Sequence, residues 1–310
     1  MRSALGFGRP VEWGHFRRAL DQQRRTAGAA VMAVLNVTPD SFYDGGRYPG
    51  ALAIERLEEI LASGAFAVDI GAESTRPGAE AVPARVQLER LEPVVRRAVH
   101  AERCWVSVDT ADPNVADVAL GWGAHVINDV SCLAKPELAQ VVARHRAALV
   151  LMHARGAMVD MRGFSEYPED AYDDIVRDVS REWLAAKSIA VEQGVDDADI
   201  LFDPGIGFAK NANHSMTLVR RLAEFRSLGA PIVLGPSRKS FLNLIEARPP
   251  EERLGATLAV CLHAAECGAD LLRVHDAQVL AQLLSAWTYL QGRTRNPVSN
   301  LAICQQREGA

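Results

Sequence analysis

The sequence predicts a single-domain α/β protein of the (β/α)8 TIM-barrel class. Eight short apolar runs rich in Val, Ile and Leu recur along the 310 residues, and each ends in polar residues. A helical pattern follows every run. Eight such units occupy about 250 residues, the usual length of this barrel.

The eight runs lack the apolar and polar alternation of a strand with one wet face, so they suit parallel strands buried on both faces. They span 31–36, 66–71, 104–110, 125–129, 147–153, 199–205, 231–237 and 270–276. An open doubly wound sheet is the alternative, but it usually has fewer strands and a Gly-rich fingerprint after the first. Here the first strand ends in NVTPDSF, which favours the barrel.

The segments between strands carry apolar residues at spacings of three and four, the pattern of an amphipathic helix. The segment ATLAVCLHAAECGA at 256–269 differs because it is apolar almost all round. A helix of this kind needs a second covering surface. The simplest is a partner subunit, which predicts a homodimer, although neighbouring helices of the same chain are an alternative.

The two ends of the chain lie outside the barrel pattern. Residues 1–30 form a lead-in, predicted to be a solvated helix; acidic Glu12 and Asp21 among its arginines argue against a transit peptide. The barrel covers 31–292. Residues 293–310 have no clear period and are expected to be a flexible tail.

Composition and charge exclude several classes of protein. The net charge of −5 gives no basic field for nucleic acid or an acidic membrane surface. No apolar run has the length of a signal peptide or transmembrane span. The five cysteines form no C-x-x-C pair, which favours free thiols over a disulfide framework or a zinc site. We therefore expect a cytoplasmic protein without nucleic-acid or membrane partners.

Polar residues end all eight predicted strands, and in a barrel these ends meet at one mouth. Any one of them could be a structural group or a helix cap, but the full set argues for a site. The set is Asn36, Asp69, Asp109, Asn128, His153, Asp203, Ser237 with Lys239, and Arg273 with His275.

The residue types in this set divide into two kinds of binding group. Carboxylates, an amide and a lysine suit an uncharged heterocycle rich in N–H and C=O groups; these are Asp109, Asn128, Asp203 and Lys239. Arginine, histidine and an amide suit a phosphate or diphosphate with a bridging Mg²⁺; these are Arg273, His275 and Asn36.

Three loops at the mouth carry Gly and Pro turn signals. Those at 36–50 and 72–83 are polar and are interpreted as lids that close over the site. The third, ILFDPGIGFAKN at 200–211, has the glycines of a phosphate loop, but the carboxylate of Asp203 would repel phosphate. We interpret it as a tight turn rather than a phosphate cradle, with Lys210 as readily solvated or structural as a ligand.

Eight motifs resemble the dihydropteroate synthase family, in order from about Val31 to Gly292. They are LNVTPDSFYDGG, DIGAESTRPGAEAV, SVDT, INDVS, LMH, LFDPGIGFAK, GPSRKSFL and LLRVHD. The resemblance implies a Mg²⁺-dependent transferase of folate biosynthesis. It would join 4-aminobenzoate to (7,8-dihydropterin-6-yl)methyl diphosphate, release diphosphate, and be open to competition by sulfonamides.

The resemblance also implies roles by position. The pterin would be held by Asp69, Asp109, Asn128, Met152, Asp203 and Lys239. The diphosphate would be held by Asn36, Arg76, Arg273 and His275, with Asn36 also reaching the metal. The aminobenzoate would contact Thr75, Arg76, Pro77, Phe208, Lys239 and Ser240. The lid loop would supply Ser41, Phe42 and Asp44, and the catalytic set would be Asp109, Asp203, Lys239, Arg273 and His275.

The sequence departs from the family pattern in three places and leaves other functions open. Ala72 and Cys132 stand where Gly is usual, and the segment 153–170 with Ala154 and Arg155 differs most. The alternatives are a pterin-binding methyltransferase barrel, a catalytically silent pterin-binding relative and an unrelated phosphate-binding barrel. Arg273 and His275 favour the synthase, because a methyltransferase needs no diphosphate site.

Overall fold

Eight parallel strands form the centre of the molecule in a computed structural model, which describes residues 13–38, 49–73, 82–156 and 167–292. The strands are β1 Ala30–Asn36, β2 Ala67–Gly71, β3 Trp105–Asp109, β4 Val126–Asp129, β5 Ala148–Met152, β6 Ile200–Asp203, β7 Val233–Leu234 and β8 Leu271–Val274. Their hydrogen-bonded order is β6-β5-β4-β3-β2-β1-β8-β7. A parallel bridge between Phe202 and Ile232 joins the two ends of this order, so the sheet closes into a barrel.

A helix precedes the first strand and at least one follows each of the eight strands. The helices are α1 His15–Ala27, α2 Pro49–Ala62, α3 Ala84–Ala101, α4 Pro113–Gly121, α5 Glu137–His145, α6 Ile175–Glu192, α7 Ala212–Arg220, α8 Leu254–Cys267 and α9 Ala277–Leu290. Local capping explains several of their starts. Asp112 accepts from the amide of Asn114 at 2.8 Å, and Pro113 occupies the first turn of α4.

The predicted (β/α)8 barrel is confirmed, and all eight apolar runs are strands. Each strand is shorter than its run at one or both ends, except β1, which begins one residue earlier at Ala30. The helical pattern after the sixth strand divides into α7 and a 3₁₀ segment, Leu222–Leu228. The predicted tail, 293–310, lies outside the described residues.

The interior of the barrel is apolar at one end and polar at the other. Alternate strand residues, among them Met32, Trp105 and Leu201, pack together inside the barrel. Because side chains alternate along a strand, the same inner face continues two residues later into polar groups near the carboxyl ends. The polar mouth is therefore the upper layer of an otherwise apolar barrel.

Helix α1 closes the amino-terminal end of the barrel. Phe16 and Leu20 are buried. The Phe16 ring meets the Trp105 ring edge-on, with 5.4 Å between their centroids. The prediction of a helix before the barrel is confirmed. The prediction that this helix is solvated is wrong for the side of α1 that carries Phe16 and Leu20, because both residues pack into the barrel's apolar end.

In the part of the chain that the structure describes, helix α8 is buried along one side and exposed along the other. Val260, Cys261 and Ala264 are buried, whereas Ala259 and His263 on the opposite side are exposed. No helix in the described ranges is long and apolar enough to cross a membrane. Among the described residues, the exposed side of α8 therefore carries Gly255 and Ala259 together with the polar His263 and Glu266.

Candidate active site

The mouth of the barrel is built on one row of paired residues. Asn36, Gly71, Asp109 and Asn128 are neighbours across β1 to β4. A side chain at Gly71 would crowd the row, since its Cβ would lie 3.4 Å from Asp109 Cβ and 3.6 Å from Asn36 Oδ1. The glycine keeps open a space between the Asn36 amide and the Asp109 carboxylate.

Asp69 forms the floor of the mouth and is fully buried. Its Oδ1 accepts from Ser107 Oγ at 2.6 Å. Its Oδ2 accepts from Asn128 Nδ2 at 2.9 Å and Arg273 Nε at 2.6 Å. With both oxygens occupied, Asp69 orients its neighbours: Asn128 must turn its carbonyl oxygen away from Asp69, where a ligand N–H can reach it.

Asp109 presents an unused acceptor. Its Oδ2 accepts from Arg273 Nη2 at 2.9 Å. Its Oδ1 is buried and has no hydrogen-bond partner among the described residues. Burial raises the pKa of Asp109 to about 7; the charge of Arg273 opposes this shift and that of Asp69 adds to it. A buried carboxylate oxygen without a donor is costly, so the site is arranged for a donor from a ligand.

Asp203 and Lys239 form the opposite wall. Asp203 Oδ1 accepts from the amide of Gly205 at 2.7 Å. Burial raises the pKa of the Asp203 carboxyl group, and the positive charge of Lys239 opposes this shift. Lys239 Nζ donates to Ile206 O at 2.7 Å and lies 4.7 Å from the centre of the Phe208 ring. Desolvation lowers the pKa of Lys239 to about 8, with Asp203 opposing the shift.

An apolar platform lies between these polar groups. Val130, Met152 and Phe208 are buried in contact, with Ala154 packed against them. A flat heterocycle on this platform would face carboxylates, an amide and a lysine around its edge.

A second, more exposed group of residues lies at the end of β8. His275 Nδ1 is 2.9 Å from Ser237 Oγ. The surrounding protein desolvates the His275 ring, and Arg273 and Arg238 place positive charge near it. Together they lower the pKa of His275 to about 4, although the outer edge of the residue is exposed. Arg56 of α2 donates to the carbonyl of His275 at 3.2 Å.

The turn after β6 uses its own amides. Gly205 donates to Asp203, Phe208 donates to the carbonyl of Gly205 at 3.0 Å, and Gly207 donates to Ser215 Oγ at 3.0 Å. These amides are therefore not available as a phosphate cradle. Lys210 is only 1 % exposed, so it is a structural lysine and not a solvated one.

The structure brings most of the predicted site residues together and corrects one. Hydrogen bonds join Asp69, Asn128, Asp109 and Arg273, and the charges of Asp203 and Lys239 act on each other and lie near Arg273. Met152 packs with Phe208, Asn36 ends the neighbouring strand β1, His275 bonds Ser237, and Ser240 follows Lys239 in the chain. His153 does not belong to the rim: it follows inward-facing Met152, so its ring points out of the barrel to Glu182. Six predicted residues lie outside the described parts of the chain, namely Ser41, Phe42, Asp44, Thr75, Arg76 and Pro77.

Three residues near the site were missed from the sequence. Ser107 could have been predicted from the sequence, because it precedes Asp109 by two positions and therefore lies on the same face of β3. Arg56 reaches the site from a helix, and Arg238 forms a two-point ion pair with Asp276 at 2.8 and 3.0 Å. Arg56 lies on a helix and not at a strand end, whereas Arg238 directly follows the run 231–237 and could have been found there.

Comparison with known proteins identifies the family. Residues 32–275 match the pterin binding enzyme family. The dihydropteroate synthase of Synechocystis sp. is 41% identical over 256 residues, covering 82% of this chain and 87% of the relative. That of Mycobacterium leprae is 42% identical over 275 residues, covering 85% and 95%. The chain belongs to the pterin binding enzymes and, among them, to the dihydropteroate synthase family.

Solved structures agree with this family. Dihydropteroate synthase of Xanthomonas albilineans with 4-aminobenzoic acid superimposes with a TM-score of 0.78 at 38% identity, covering 85% of this chain and 93% of that one. The same enzyme with 7,8-dihydropteroate gives 0.75 at 36%, covering 85% and 94%. The Yersinia pestis enzyme in a sulfonamide complex gives 0.78 at 34%, covering 85% and 94%.

Proposed function

We propose that this chain condenses 4-aminobenzoate with (7,8-dihydropterin-6-yl)methyl diphosphate, giving 7,8-dihydropteroate and diphosphate in folate biosynthesis. The observation that carries the proposal is the unused acceptor at Asp109 Oδ1, buried within a ring of groups that match a pterin edge. Relatives named for this reaction, at 41% and 42% identity, support it.

The pterin is assigned to the inner part of the mouth. Asp109 and Asp203 accept from its N–H groups, while Asn128 and Lys239 meet its carbonyl and ring nitrogens. The apolar platform of Met152 and its neighbours supports the ring face. Asp69 is assigned to orientation, since its oxygens are already occupied.

The diphosphate is assigned to the outer group of His275, Arg273 and Asn36. Arg273 uses Nε and one Nη2 hydrogen on carboxylates, which leaves its remaining N–H groups for a phosphate oxygen. We place Arg76 with this group by family resemblance, although it lies outside the described residues.

A Mg²⁺ ion fits this arrangement if the diphosphate supplies most of its ligands. No cluster of three or more His, Cys, Asp or Glu suited to a metal exists within the described part of the chain. Mg²⁺ commonly keeps waters and substrate phosphates with one or two protein oxygens, and the Asn36 amide oxygen faces the open space at Gly71. When bound, the ion would neutralise charge on the departing diphosphate.

The aminobenzoate is assigned to the space between Phe208, Lys239 and Ser240, with Thr75 and Pro77 from the loop that the structure does not describe. The carbon–oxygen bond to diphosphate breaks with its electrons leaving on the diphosphate, the neutral amine forms the new bond to the pterin methylene carbon, and the resulting anilinium loses one proton to water. The carboxylates of Asp109 and Asp203 favour positive charge that develops on the pterin. By family resemblance, the loop with Ser41, Phe42 and Asp44, outside the described residues, is assigned the exclusion of water from this step.

The test is an assay of the purified protein with pterin diphosphate, radiolabelled 4-aminobenzoate and Mg²⁺. Formation of labelled dihydropteroate is expected, together with competition by a sulfonamide. No product with Mg²⁺ present would sink the proposal. Pterin binding without product would then point to a silent relative or to a methyltransferase. Transfer of a methyl group from methyl-tetrahydrofolate would identify the methyltransferase.

We also propose that the chain works as a homodimer in the cytoplasm. The dimer is supported by the apolar composition of α8 and by Leu244 and Ile245, which are 50% and 56% exposed before that helix. Free thiols at Cys104, Cys132, Cys261 and Cys267 suit a reducing compartment.

A further inference from the structure

Lys210 is a buried lysine that hydrogen-bonds to neutral groups, while the charge of Asp203 lies close enough to oppose the fall in its pKa. Its Nζ donates to the carbonyl of Phe208 at 2.9 Å and lies 2.9 Å from His153 Nδ1 and 3.4 Å from the carbonyl of His153. Only 1 % of the residue is exposed, and burial lowers its pKa to about 7. Burying an amine at this cost needs a compensating role.

The His153 side of this contact is fixed by α6. Because Nδ1 faces an ammonium donor, it acts as the acceptor, and Nε2 then carries the proton that goes to Glu182 Oε2 at 3.0 Å. Burial, with the charge of Lys210 second, lowers the pKa of His153 to about 4 and keeps it neutral. Arg155 holds Glu182 by two bonds of 2.8 and 2.5 Å.

The Phe208 side of this contact is a turn with unusual backbone. Gly205, Gly207 and Ala209 have φ values of 65°, 85° and 49°, and the left-handed region is unfavourable for alanine. The turn presses on the end of β5, since a Cβ at Gly205 would lie 2.0 Å from the carbonyl of His153. Side chains hold three of its carbonyls: Lys239 on Ile206 and Tyr172 on Ala209 from outside the turn, and Lys210 on Phe208 from its end.

We propose that Lys210 is a positioning residue for the pterin site, fastening the turn after β6 to the end of β5. The turn carries Asp203 and Phe208, and the end of β5 carries Met152, so Lys210 sets the distance between two walls of the mouth. It touches neither substrate in this arrangement and acts through Phe208. The inference rests on the proposed function, because these walls are assigned to the pterin.

The test replaces Lys210 with methionine, with Lys135→Met as the matched control, because Lys135 is 53% exposed in a surface ion pair with Asp112. Calorimetry measures the affinity for 6-hydroxymethyl-7,8-dihydropterin, and steady-state kinetics give kcat and KM for each substrate. In Lys210→Met we expect pterin affinity to fall at least tenfold and KM for the pterin diphosphate to rise similarly, with kcat within threefold. A folded Lys210→Met whose pterin affinity stays within twofold of wild type overturns the inference.

A double-mutant cycle with Phe208→Leu separates positioning from general stability. If Lys210 acts through Phe208, the double variant loses no more pterin affinity than the worse single variant. Losses that multiply would contradict the inference. Should Lys210→Met not fold, His153→Leu removes the β5 end of the same link and is expected to weaken pterin binding equally; a folded His153→Leu with unchanged affinity also overturns it.

Failure of the Lys210 inference can be distinguished from failure of the proposed function. A wild-type protein that forms no dihydropteroate removes the proposed function itself. A wild-type protein that is active, beside a Lys210→Met variant that binds pterin normally, removes only the role of Lys210.

Discussion

Arg273 Nε lies 2.6 Å from Oδ2 of the fully buried Asp69, and this ion pair forms the floor of the mouth. The guanidinium also reaches Asp109 at 2.9 Å, so one arginine serves two carboxylates on neighbouring strands. Because Asp69 also orients Asn128, the pair connects both sides of the assigned pterin site. Changes at residues that meet no substrate should therefore alter binding.

Asp69→Asn should destabilise the protein and weaken pterin binding. The substitution removes the charge that Arg273 faces in a buried site, and breaking a buried pair costs roughly 3–5 kcal/mol. Urea unfolding measures the stability change. Glu89→Gln is the control, because the Arg85–Glu89 pair is largely exposed and surface pairs contribute roughly 0–1 kcal/mol. Equal effects of the two substitutions would contradict a structural role for Asp69.

Asp109→Asn should change how stability depends on pH. Burial raises the pKa of Asp109 from its usual 3.8 to about 7, so the folded state holds a proton that the unfolded state releases. The carboxyl group's contribution is complete below pH 3.8 and is lost as pH rises through about 7. We compare the free energy of unfolding of the wild type with that of Asp109→Asn at each pH. The value for the wild type minus that for the variant should fall across this range, by at most about 1.4 kcal/mol per pH unit. A flat difference in urea titrations from pH 4 to 8 would refute this.

His275→Ala should separate diphosphate binding from pterin binding. His275 lies at the outer border and is bonded to Ser237, apart from the carboxylates. We expect the variant to bind 6-hydroxymethyl-7,8-dihydropterin within twofold of wild type by calorimetry, and the pterin diphosphate at least tenfold more weakly. Asp203→Ala should lose both ligands. Arg273→Ala should weaken both as well, because Asp109 loses its donor. Equal loss of the two ligands in His275→Ala would remove His275 from the diphosphate group.

The sequence predicts the barrel well because each strand is a local apolar run and the closed sheet follows from eight repeats. It also identifies the inner mouth, since strand ends must converge and alternate residues share a face. The prediction for His153 is wrong because side chains alternate along a strand, so the residue after inward-facing Met152 points out of the barrel. The Lys210–His153 and Arg238–Asp276 contacts could not be predicted, because each joins segments that are distant in sequence.

Ala259→Arg should turn the proposed dimer into a monomer. Ala259 lies on the exposed side of α8, where an arginine would be desolvated without a partner if a second copy covered it. Light scattering after size-exclusion chromatography measures the mass. Val118→Arg is the matched control: Val118 is 39% exposed on α4, elsewhere on the outer ring of helices, and the variant should keep the wild-type mass. A wild-type monomer, or an Ala259→Arg dimer, would show that α8 is not the interface.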